Sequence, residues 1–174
     1  MGSNRIAGTR ARGLLVLVAF ALMCPAAAAQ VSSPGESGAV GFTRSAYGLG
    51  LFAGYASGIG LSFRHHLPGR FSYQLTGGII KQKDRLWYTF GAEGQFDLSR
   101  MSAYRVYVAA GAAYYFEGPE NHNEVEGPER IGLGVGGELS LGERFTLEAD
   151  LLFTWFSDGT ILPLPQAGIY YYFD

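Results

Sequence analysis

The feature that most constrains this chain is a two-residue period running through nearly everything after residue 41. Successive side chains of a strand point to opposite faces, so such a period sorts residues onto the two faces of a sheet. From Leu86 to Leu98, the residues Leu86, Tyr88, Phe90, Ala92, Gly94, Phe96 and Leu98 share one face. Trp87, Thr89, Gly91, Glu93, Gln95 and Asp97 share the other. Arg130 to Leu141 repeats the pattern, with Ile131, Leu133 and Val135 set against Gly132, Gly134, Gly136 and Glu138. Phe145 to Trp155 and Tyr104 to Glu117 do the same. Weaker alternation marks Ser45 to Tyr55, Gly58 to His66, Phe71 to Ile80 and Gln166 to Phe173. The tally predicts eight strands. No stretch after residue 41 supplies the roughly 20 apolar residues of a membrane-spanning helix, and none carries a sustained helical stripe.

The connections alternate in length. Residues 66–70, 99–103 and 142–144 read as short turns; 118–129 and 157–165, the latter with Pro163 and Pro165, read as longer ones. With both termini at one end, the two longest connections fall together at the other. Short turns on one side and longer loops on the other is the layout of membrane barrels.

Composition decides which face looks inward. Charged residues are 16% of the chain, against about 25% in a soluble domain. The second face carries glycine, serine, threonine and glutamine with scattered charges, too few to coat a water-exposed surface. The 26 glycines suit the crowded interior of an eight-stranded barrel, which side chains just fill. Tyr47, Tyr55, Tyr104, Tyr114, Phe116, Phe145, Phe153, Trp155, Tyr171 and Phe173 lie on the apolar face, mostly toward strand ends. Membrane barrels carry such aromatic girdles at both interfaces. Several strands also reach the roughly 9–11 residues that a tilted strand needs to cross a bilayer. The expected fold is all-β: an eight-stranded antiparallel up-and-down transmembrane β-barrel. The competing reading is a soluble exported lipid-binding barrel, with the apolar face turned inward.

Residues 1–29 read as a secretory signal peptide to be removed. Arg5, Arg10 and Arg12 precede an apolar run from Leu14 to Met23; Pro25 breaks it, and Ala27, Ala28 and Ala29 offer a cleavage site. The only cysteine, Cys24, lies in that segment, so the mature chain is expected to have no thiol chemistry. Bulky Met23 before Cys24 disfavours lipoprotein processing. Residues 30–44, with Pro34 among serines and glycines, read as a flexible lead, and 45–174 as the barrel.

With these strands stands the aromatic close Gly168-Ile169-Tyr170-Tyr171-Tyr172-Phe173. Residues 45–174 thereby resemble the small outer-membrane β-barrel proteins, of the general OmpA-barrel and OmpX type. The resemblance is architectural. It implies an outer-membrane location, lipid around the wall and handling by the barrel-assembly machinery, which commonly reads a terminal aromatic residue. Here Phe173 is followed by Asp174, a departure from that pattern.

Residues of possible chemistry fall in three groups. The inner face would hold Arg64, Gln74, Glu93, Gln95, Asp97, Arg105, Glu138, Glu148 and Asp150, read as a lumen network because buried charges need partners. Its five carboxylates outnumber its two arginines, so some lie near the rim or carry protons. His65 and His66 are read as a polar strand end at the interface, since no third metal ligand accompanies them. The connection containing Glu120, Asn121, His122, Asn123, Glu124 and Glu126 is the outer loop, the best place for recognition. Its acidic oxygens give divalent-cation binding as the lesser alternative. Gly132-Leu133-Gly134-Val135-Gly136-Gly137 matches a nucleotide fingerprint in letters only, because no helix follows.

No cofactor is expected, nor a nucleic-acid partner, given a net charge of −2. The leading functional expectation is a monomeric structural or interaction protein acting through its outer loops. A narrow channel or transport-associated barrel is the alternative. A lipid-modifying enzyme using Ser157, Asp158 and His122 is a weaker one, and the chain is expected not to be an enzyme.

Overall fold

Alternating strands with one apolar face can satisfy every backbone group within a membrane only if the sheet closes on itself. In the computed structural model they do. The structure describes residues 45–101, 103–119 and 122–173. The signal, the lead, Ser102, Glu120, Asn121 and Asp174 fall outside them. The strands are β1 (Ala46–Gly54), β2 (Gly58–His66), β3 (Phe71–Gln82), β4 (Arg85–Arg100), β5 (Tyr104–Gly118), β6 (Glu129–Leu141), β7 (Phe145–Phe156) and β8 (Ile161–Phe173). Each pairs antiparallel with the next, and β1 pairs with β8 from Tyr47↔Phe173 to Ala53↔Ala167. The result is a closed up-and-down barrel.

The register converts the alternation into two opposite environments. Outward positions are apolar and exposed: Leu133 is 65% exposed and Phe153 60%. Inward positions are polar and buried, from Arg64 and Gln74 to Thr154 and Gln166. A soluble barrel has the reverse arrangement, so the apolar belt is a surface for lipid hydrocarbon.

Two features depart from the sequence reading. β8 begins at Ile161, so the connection expected over 157–165 is only residues 157–160. The prolines that suggested a loop, Pro163 and Pro165, lie within the strand opposite Phe153 and Leu151. Phe156 N–H donates to Thr160 O at 2.9 Å, making 156/160 a hydrogen-bonded pair. Alternation along the ladder then puts Pro163 and Pro165 at non-bonded positions, their nitrogens facing away from β7. On that side β1 has already ended at Gly54, so no ladder bond is lost, as with proline on an edge strand. The second departure is the β3–β4 hairpin, which extends to Gln82 and Arg85 around a two-residue turn, Lys83-Asp84, with Lys83 at φ 54°.

Candidate functional site

The barrel interior is where polar side chains concentrate. All nine residues expected there are buried, Arg64 and Asp97 completely. The rim explanation for the excess of carboxylates therefore does not apply to these five.

Toward the terminal end of the barrel, where β1 begins and β8 ends, two arginines organise the network. Arg64, on β2, donates to Glu138 Oε2 at 2.6 Å and also to Gln74 and Glu148. Its guanidinium lies 4.0 Å from the centroid of the Tyr170 ring. Arg105, on β5, reaches Asp97 Oδ1 at 2.7 Å, Gln95 Oε1 at 2.5 Å and Glu138 Oε2 at 2.9 Å. Glu138 thus accepts from both arginines across the lumen. Arg100 approaches Asp97 at 3.8 Å from the terminal mouth. A guanidinium presents several donors in a fixed plane, which suits it to joining carboxylates from different strands.

Midway along the barrel the cations thin out. Tyr107 O–H faces Glu148 Oε1 at 2.5 Å and Asp150 Oδ1 at 2.6 Å. Gln95 Nε2 donates to Glu93 at 2.8 Å and to Glu148 at 2.7 Å. Carboxylate oxygens of Glu93, Glu148 and Asp150 come within 4.8 Å of one another. This is the described residues' closest approach to a cation-binding geometry, and it lies in the lumen rather than in the outer loop where the sequence suggested it. Calcium takes about six to eight oxygens. Here Tyr107, Gln95 and Arg64 already occupy the cluster as donors.

One of the two histidines, His66, corrects the sequence reading. Successive residues of a strand face opposite ways, so His65 and His66 part company. His65 faces outward, stacked on Tyr47 with centroids 4.5 Å apart and bonded to Tyr73 O–H at 3.1 Å. His66 is not an interfacial strand end. It is fully buried, with Nδ1 2.6 Å from Ser72 Oγ and Nε2 2.5 Å from Tyr172 O–H. The pair cannot grip one metal ion.

Sequence reasoning missed the inward aromatics Tyr107, Tyr115, Tyr170 and Tyr172, and also Gln166 and Arg130. The signal was present, since Tyr170 sits between outward Ile169 and Tyr171, and Tyr107 between Val106 and Val108. Composition alone does not separate a girdle aromatic from a lumen one; only its place in the alternation does. Nine of the ten girdle residues are at least partly exposed on the outer wall. Phe116 is buried instead, stacked at 4.9 Å and 7° on Tyr88.

Of the outer loop, His122, Glu124 and Glu126 are exposed. Asn123 fastens the segment to the barrel. Its Nδ2 donates to Tyr115 O at 2.9 Å, and its Oδ1 accepts from the N–H of Glu117 and of Val125, both at 3.1 Å. Arg85 adds an exposed ion pair to Glu124 at 2.7 Å. Asp158 accepts from Thr160 N–H at 2.8 Å within its own turn. Among the described residues no hydrogen bond joins Ser157 or Asp158 to His122, so the arrangement a serine hydrolase requires is not assembled.

An apolar wall around a buried, cross-linked polar interior defines a transmembrane β-barrel. The sequence matches no protein-family model and no curated protein. Among solved structures, the fold is similar to the N-terminal β-barrel domain of Pseudomonas aeruginosa OprF. The TM-score is 0.52 and the identity 15%, over 76% of this chain and 99% of that one. Yersinia pestis Ail aligns at TM-score 0.42 and 13% identity, over 76% and 100% of the two chains. Neisserial surface protein A aligns at 0.37 and 17%, over 73% and 93%. The OprF likeness bears on fold alone. The chain has the fold of the small eight-stranded outer-membrane β-barrels.

Proposed function

We propose that this chain is exported, with residues 1–29 removed, and inserts into the outer membrane as a sealed scaffold that presents its loop end to partners. The observation that carries this reading is the filled lumen. Arg64 and Arg105 tie carboxylates of β4, β6 and β7 together across the interior, where a general diffusion pore needs open space. Open aqueous channels belong to barrels of about 16 strands. Lipid surrounds the apolar wall, and the fastened loop around Asn123 offers a rigid surface carrying His122, Glu124 and Glu126.

Reconstitution into planar bilayers tests the reading. A sealed scaffold gives no reproducible single-channel conductance, whereas stable unitary steps would favour the narrow channel. Cell fractionation supplies the companion test. The protein should be found in the outer membrane and migrate faster unboiled than boiled in detergent. Recovery as a soluble periplasmic protein would overturn the membrane assignment.

A further inference from the structure

The β1–β2 connection is a turn of three residues, Tyr55, Ala56 and Ser57, at the loop end of the barrel. Such turns ordinarily project into solvent, yet Ala56 and Ser57 are completely buried. They are buried inside the lumen. Ala56 N–H donates to Gln166 Oε1 on β8 at 3.1 Å, Ser57 Oγ donates to Glu93 on β4, and Tyr115 O–H on β5 donates to Gly54 O. Gln166 stands on β8, which pairs with β1, but β4 and β5 pair with neither strand of this hairpin, so the tip reaches across the interior.

The facing wall is shaped to receive it. Gly91, Gly111 and Gly132 lie on three consecutive strands, β4, β5 and β6. A Cβ at Gly91 would meet the Ser57 backbone; at Gly111, the Ser57 hydroxyl and Ala56 O; at Gly132, the Ala56 methyl. Each glycine gives up a side chain where the turn sits, and backbone strain is not the reason, since none of the three has a positive φ. Leu152 and Tyr107 close the apolar side of the seat around Ala56. Above it the Arg130 guanidinium lies 3.9 Å from the centroid of Tyr115 and 4.9 Å from that of Phe156.

We propose that the β1–β2 turn is a built-in plug which seals the loop-end mouth, so that the lumen carries two closures in series. The plug forms one and the Arg64–Arg105 charge layer the other. The proposal takes the barrel to span a membrane, and adds that neither closure depends on the other.

Thiol accessibility tests the plug without breaking it. In a Cys24→Ala background, a cysteine replacing Ala56 should react with a charged, membrane-impermeant maleimide on the order of a hundredfold more slowly than one replacing exposed Asp84, because only local opening reaches it. Equal rates would overturn the plug. Planar-bilayer recording tests the series arrangement, using variants that keep the gel shift between unboiled and boiled samples. Gly111→Val, which fills the Ser57 seat, and Arg64→Ala should each remain silent, while the double variant conducts. Conductance by either single variant at the level of the double, or a silent double variant, would overturn two closures in series. A barrel recovered in the soluble fraction would instead remove the membrane reading beneath it.

Discussion

The two halves of this lumen are filled by opposite means. Toward the termini, long charged side chains cross the interior and satisfy one another: Arg64 and Arg105 with Asp97, Glu138 and Glu148. Toward the loops, the wall gives up its side chains at Gly91, Gly111 and Gly132, and the small residues of the β1–β2 turn fill the space instead. The first solution ties strands together by charge and fails badly when one partner is lost, since an uncompensated buried ion is very costly. The second depends on shape and fails through overpacking, a smaller and more local effect. Same barrel, same diameter; the difference lies in which residues the inner positions carry.

Breaking the charged half should give the largest effect. Arg64→Ala leaves Glu138, Glu148 and Gln74 without a shared donor and is expected to cost about 3–5 kcal/mol. Urea unfolding of the vesicle-embedded barrel measures it, and a loss below about 1 kcal/mol, the worth of one ordinary hydrogen bond, would mean that the network contributes little. The outer wall supplies a reference. Leu133→Arg, 65% exposed on the apolar belt, should cost about 2–4 kcal/mol in a bilayer near the midplane. The same variant in detergent micelles should be less affected, and an equal loss in both would argue against a lipid-facing wall.

In the shape-filled half, Gly111→Val should cost about 1–3 kcal/mol through overpacking against Ser57 and Ala56. The comparison sharpens with a double-variant cycle. Gly111→Val and Arg64→Ala should be additive within about 0.5 kcal/mol if the halves are independent, and a larger coupling energy would join them into one unit. The smallest effect belongs outside the lumen. Arg85→Ala removes the exposed pairs with Glu117 and Glu124 and should leave the unfolding midpoint essentially unchanged in the same curves, because solvent screens exposed ion pairs.

Eight strands were legible because each has an inner and an outer face, and the pattern needs no knowledge of neighbours. That rule placed Arg64, Glu93, Asp97, Arg105 and Asp150 inside without any contact information. It fails at Pro163 and Pro165, where proline reads as a loop signal. Whether proline is tolerated in a strand depends on whether its nitrogen faces a partner, and that depended on β1 stopping at Gly54. It also misjudged His66, because a residue at a strand end is interfacial or internal according to what closes over it, here Tyr172 and Ser72.

The two-residue period, and with it the fold class, the strand count and the two faces, is readable from residue order alone, because alternation is a local property of extended chain. Who meets whom across the lumen is set by the closed sheet. Arg64 and Glu138 are far apart in the chain and on strands that do not pair, and Ser57, in the β1–β2 turn, meets Glu93 on β4, which pairs with neither strand of that hairpin. Their meeting follows from closure of the sheet at this diameter. The glycines show the same division: their inward positions were legible, but the turn that fills the space they leave was not, because a cavity and its occupant are defined only when both are in place.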